Sequence, residues 1–148
     1  MGRHAWPIII AMCVALAACL DDQQALQSSD PIYTMVFFAT DSVTLNKRAQ
    51  DQLTNTVKEP TPPIKAALQP NSKAKICVTG HTDKVGPETI NKEVAQRRAD
   101  AVAKYLVGLG VPEQRIVTAS LGSSKPLVVT GPGIPEISNR RVEVVFGC

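Results

Sequence analysis

Arg98 stands where an apolar side chain belongs. Projected at about 100° per residue from Asn91, the segment after Pro87 gathers Ile90, Val94, Ala101, Val102, Tyr105, Leu106 and Leu109 within roughly 100° of one direction. Glu93, Gln96 and Asp100 lie opposite, whereas Arg98 falls about 20° from the centre of the stripe, with Asn91 central and Arg97 at its margin. A guanidinium facing a core keeps its proton, so it requires an anionic partner or a ligand pocket. Asp83 and Glu143 are the two carboxylates suited to a structural ion pair with it. The loop before the helix points instead to a pocket, because Gly80 and Gly86 permit close backbone approach where Thr82, Asp83 and the amides of the helix start converge. An aspartate and an arginine lining one small pocket complement an amino-acid zwitterion, the carboxylate facing its ammonium and the guanidinium its carboxylate. Such a site binds rather than reacts. His81 and Asp83, two residues apart, are more often turn formers than an acid–base pair, and no nucleophile accompanies them, so no enzyme is expected.

These residues need elements to position them. Ile32 to Phe38 is β-branched and aromatic and predicts a strand. Thr44 can cap a helix from about Leu45 to Val57, with Leu45, Ala49, Leu53 and Val57 on one face, ending at Pro60. Four prolines between Glu59 and Pro70 predict a surface loop with room for one helical turn. Ala74 to Thr79 reads as a second strand, Gly80 to Gly86 as a loop, and Pro87 as the start of a second helix reaching about Val107. Arg115 to Leu121 is a third strand, Gly122 to Ser138 a Gly/Pro/Ser-rich loop, and Arg141 to Phe146 a closing strand with Val142, Val144 and Phe146 inward. The order β-α-β-α-β-β implies an α+β two-layer sandwich, with two helices on one face of a mixed sheet.

The 148 residues carry 16 Lys+Arg against 13 Asp+Glu, a net charge of +3, with no basic block. That balance gives no phosphate-neutralising stripe, and one Trp, two Tyr and three Phe give no stacking platform, so a nucleic-acid partner is not expected. Met1 to His4 is basic, and Trp6 to Leu20 is an apolar run too short to span a bilayer, so residues 1–18 read as an export signal. Its end, Leu16-Ala17-Ala18-Cys19, resembles the bacterial lipobox, where cleavage precedes an acylated cysteine; an ordinary Ala-X-Ala cleavage with Cys19 incidental is the alternative. Residues 19–31 then form a lipidated, flexible tether, and residues 32–148 the domain. Cys77 and Cys148 remain as either a disulfide or two free thiols in an oxidising compartment. Neither has neighbours at metal-ligand spacing and His81 is the single histidine past the signal, so no metal or cofactor is expected.

Gly80-His81-Thr82-Asp83, Gly86, Asn91, Arg97-Arg98-Ala99, Gly110, the Ile116 strand, Gly122, Pro126 and Asn139-Arg140-Arg141-Val142 together resemble the OmpA-like peptidoglycan-binding domain. With the lipobox and tether, the whole resembles a small lipoprotein of the peptidoglycan-associated lipoprotein type. The resemblance implies non-covalent binding of meso-diaminopimelate in the peptidoglycan stem peptide, with Asp83 taking the ammonium and Arg98 the carboxylate. Asn91, Thr82 and Arg140 would line the pocket. Family members commonly carry an acidic residue directly after the phenylalanine pair; here Ala39 follows Phe37-Phe38, and Asp41 is the nearest carboxylate. Two roles fit such a chain: an outer-membrane lipoprotein facing the periplasm that tethers the envelope to the wall, or a wall-binding subunit of a secretion, motility or Tol-type assembly. Lys84-Val85 departs from the acidic–basic pair typical of the peptidoglycan-associated lipoprotein.

Overall fold

The computed structural model describes residues 32–148. The expected signal peptide, the acylated Cys19 and the tether lie outside the described residues. Four strands, β1 (Ile32–Phe37), β2 (Ile76–His81), β3 (Ile116–Gly122) and β4 (Arg141–Phe146), form one sheet in the order β1-β4-β2-β3. β4 runs antiparallel to both β1 and β2, and β2 runs parallel to β3. The parallel pair requires a crossover, which α3 (Glu88–Gly108) supplies. Val36, Val142, Val78, Ile76, Val144 and Phe146 alternate onto the helix-covered face and are buried there with Leu53, Val102 and Leu106.

The architecture is the expected α+β sandwich over a mixed sheet, but three helices rather than two cover it. α1 (Lys47–Lys58) starts two residues later than predicted because Asn46, not Thr44, caps it: the Asn46 side chain accepts from the Ala49 N–H at 2.9 Å. The proline-rich stretch holds a true helix, α2 (Pro62–Leu68). Pro62 and Pro63 occupy its first positions, where a missing N–H costs nothing, and Ile64 and Ala67 reach the core. Buried Arg115 holds its far end, donating to the carbonyls of Ala67, Gln69 and Ala74. β2 continues past Thr79 because Gly80 still pairs with Val142 on one side and Ser120 on the other. Cys77 and Cys148 are joined in a disulfide with a Cα separation of 6.0 Å, fastening the chain end to β2.

Candidate binding site

Gly80 decides where the site forms. A Cβ built there would lie 2.0 Å from the Ala95 carbonyl oxygen, so β2 crosses α3 at a distance only glycine allows. That crossing delivers Thr82 and Asp83, which follow β2, to the first turns of α3. Gly86, at φ +83°, then turns the chain into the helix. Pro87 sits at the cap and Glu88 is the first helical residue; the Pro87 carbonyl accepts from the Asn91 N–H at 3.0 Å.

Between these segments lies a cavity of about 410 Å³, lined by all six residues named above: Asp41, Thr82, Asp83, Asn91, Arg98 and Arg140. Ile90, in the apolar stripe by projection, is half exposed at its rim, because the buried arc of α3 is centred on Asn91, Ala95, Arg98, Ala99, Val102 and Leu106. Arg98 is 2% exposed. Its Nε donates to the Ser42 carbonyl at 2.8 Å, Nη2 to Ala39 at 3.2 Å and Nη1 to His81 at 3.5 Å, and its guanidinium lies 5.2 Å from the centre of the Phe38 ring. Burial, then repulsion from Arg140, pulls its pKa down to about 10, with Asp83 and Asp41 acting in opposition. It therefore stays charged at neutral pH.

Neither expected ion pair of Arg98 exists. Asp83 is taken by Arg140, Nη1 to Oδ2 at 2.7 Å, and Glu143 by Arg141 at 2.7 Å. Among the described residues Arg98 has no carboxylate partner. Three of its five N–H groups are used by carbonyls, which leaves two. The Thr82 hydroxyl, also buried in the cavity wall, finds no hydrogen-bond partner among the described residues. Asn91 donates to the Gly86 carbonyl at 3.4 Å. Asp41 is exposed, and at φ +53° it occupies a conformation that side-chain-bearing residues seldom adopt. The cavity thus offers an unmatched buried cation, a free hydroxyl and carboxylate oxygens within one small volume, the complement of a zwitterion.

His81 is not part of this surface. Its ring is buried 3.7 Å from Glu143 and near Arg141, its nitrogens without hydrogen-bond partners among the described residues. Its backbone carbonyl, not its ring, serves Arg98. Burial and then the Arg141 charge hold the imidazole below its ordinary value. Asn139, fully buried, is an unforeseen contributor: its side chain accepts from Leu127 N–H (2.8 Å) and Val128 N–H (2.9 Å) and donates to Val128 O (2.7 Å), closing the loop 123–138 on itself. Only its place beside Arg140 and Arg141 marks it in the sequence.

Residues 37–140 match the OmpA family. The peptidoglycan-associated lipoprotein of Buchnera aphidicola subsp. Baizongia pistaciae is 40% identical over 51% of this chain and 44% of its own length. That of Rhizobium meliloti is 31% identical over 99% of this chain and 90% of its own. The chain thus spans less than half of the first relative and most of the second. The crystal structure of the peptidoglycan-associated lipoprotein from Burkholderia pseudomallei superposes with a TM-score of 0.63 at 28% identity, covering 75% of this chain and 87% of that one.

Proposed function

The chain belongs to the OmpA family, and we propose that it binds peptidoglycan without covalent chemistry, gripping the meso-diaminopimelate of the stem peptide in the cavity beside Arg98. The observation that carries this reading is the buried Arg98 guanidinium with no carboxylate partner among the described residues and two N–H groups to spare. A ligand carboxylate would complete its fork, since charge-assisted bidentate pairing is the geometry a guanidinium favours. Asp83 would receive the ammonium, and Thr82, Asn91 and Asp41 would line the ligand.

Acylation of Cys19 would seat the domain at the outer membrane, facing the periplasm, with residues 20–31 as the tether. Chemically the two ends suit each other: two or more acyl chains, palmitate among them, anchor far more firmly than one, and many weak wall contacts add by avidity. Among the described residues no helix is long and apolar enough to cross a membrane. Pull-down on purified sacculi tests the site. Wild type should co-sediment, and Asp83→Ala and Arg98→Ala should each stay in the supernatant; undiminished co-sedimentation of either variant would refute the assignment. Radiolabelling with palmitate, compared between wild type and Cys19→Ser, tests the anchor.

A further inference from the structure

We propose that Arg140 is a positioning residue: it braces one oxygen of Asp83 so that the other is presented to the ligand ammonium, and it does not itself hold the ligand. This rests on the reading of the cavity just given. It departs from the resemblance, which put Arg140 on the ligand. Asp83 Oδ2 receives two donors, Arg140 Nη1 at 2.7 Å and the Glu136 N–H at 3.2 Å. Asp83 Oδ1 receives only the Val85 N–H, at 3.4 Å, a weak contact that leaves its lone pairs open. The same guanidinium reaches the Phe38 carbonyl through Nε at 3.3 Å, so Arg140 spans from the end of β1 to the loop after β2 and is itself held. Both partners are buried.

The second donor is anchored as firmly. Glu136 belongs to the loop 123–138, which Asn139 ties at its base. Along its length, the Gly133 N–H donates to the Lys84 carbonyl at 2.8 Å and Lys84 Nζ to the Thr130 carbonyl at 3.1 Å. Asp83 therefore sits between two donors fixed to different parts of the fold. A carboxylate so held is aimed before the ligand arrives and loses little rotamer freedom on binding. The charge of Arg140 is already matched by Asp83, whereas Arg98 has no carboxylate partner among the described residues, so a ligand carboxylate is better matched by Arg98.

The test uses the full-length chain in detergent, titrated calorimetrically with meso-diaminopimelate and with pimelate, which keeps both carboxylates and lacks both ammonium groups. Wild type should favour meso-diaminopimelate by about tenfold or more, the worth of one charge-assisted hydrogen bond. In Arg140→Gln that preference should shrink to about twofold or less while pimelate affinity stays within about twofold, which also shows that the Arg98 end is folded. Arg140→Lys should recover part of the preference, and Asp83→Asn should abolish it with no further loss when combined with Arg140→Gln. If Arg140→Gln weakens both ligands alike and keeps the preference, Arg140 contacts the ligand and the proposal fails. If the preference grows, Arg140 competes with the ammonium, and the proposal again fails. Wild type that binds neither compound would remove the ligand reading and this proposal with it, whereas the first two failures leave that reading intact.

Discussion

Replacing Arg98 with methionine should alter the stability of the domain little and remove nearly all of its ligand affinity. Held at about 10, well below the ordinary guanidinium value, the guanidinium carries roughly 3.5 kcal/mol of disfavour for its charged form, at about 1.4 kcal/mol per pH unit. The offset is of the same size. Its bonds to Ser42 (2.8 Å) and Ala39 (3.2 Å) are sound, and the one to His81 (3.5 Å) is marginal. Two charge-assisted hydrogen bonds return about 1.5 kcal/mol each, and the ring of Phe38 adds about 0.5 to 1. Methionine keeps the unbranched stem among the apolar neighbours, so the ligand-free variant should lie within about 1 kcal/mol of wild type.

The ligand has no such compensation. Losing the two remaining N–H groups forfeits about 3 kcal/mol or more, a factor of at least about one hundred in affinity. Urea unfolding followed by circular dichroism reads the first quantity, and calorimetric titration with meso-diaminopimelate the second. Arg98→Lys, which keeps the charge without the fork, should lose about tenfold. A drop of about 3 kcal/mol in stability, with sacculus binding that merely tracks the folded fraction, would make Arg98 a structural clamp. Tight binding by a folded Arg98→Met chain would refute the carboxylate site altogether.

Gly80→Ala should destabilise by about 3 kcal/mol or more, since its Cβ meets the Ala95 backbone oxygen at 2.0 Å. Gly86→Ala, with no atom within 4 Å but φ at +83°, should lose only about 1 to 2 kcal/mol; equal denaturant midpoints for the two would refute the close-approach argument. Reducing the Cys77–Cys148 bridge, which spans a sequence separation of 71, should lower stability by up to about 4 kcal/mol in the chain-entropy view. Affinity for meso-diaminopimelate should not change, because the bridge joins the end of β2 remote from Asp83; a coincident loss of affinity would contradict that. The buried His81 imidazole is held below its ordinary value, so the folded chain takes up fewer protons than the unfolded one. Stability should accordingly be complete above about pH 6.5 and decline as pH falls below it. Denaturant midpoints between about pH 7.5 and 5 should show a shallower decline in His81→Gln, and parallel curves would count against it.

What could be read in advance depended on how local its cause was. β4 appears with its predicted bounds because Val142, Val144 and Phe146 alternate against a single buried face, a signal complete within six residues. Arg98 was legible for the converse reason: a helix period established by its apolar neighbours makes one misplaced cation conspicuous. α2 was not, because Pro62 and Pro63 break a helix in most positions and are harmless only at its first turn. The far end of the helix is held partly by Arg115, which arrives from 48 residues further on. The choice of Asn46 over Thr44 as the cap of α1 turned on where the chain leaves the 39–42 turn, where the Ser42 N–H bonds to Ala39 O.

The pairing inside the site shows the same limit more sharply. Sequence spacing could bring Asp83 and Arg98 to one cavity, since both lie on the segment from β2 into α3 and the helix period fixes the second relative to the first. It could not say which cation would take the carboxylate, because Arg140 reaches Asp83 only through the antiparallel pairing of β4 with β1 and β2. That pairing changes the chemistry. With Asp83 matched by Arg140 and Glu143 by Arg141, Arg98 is left as a buried charge that the domain surrounds with carbonyls but does not neutralise. A fold selected for stability alone would lose little by putting an apolar residue there. The unneutralised cation is best explained by an anion that comes from outside the chain.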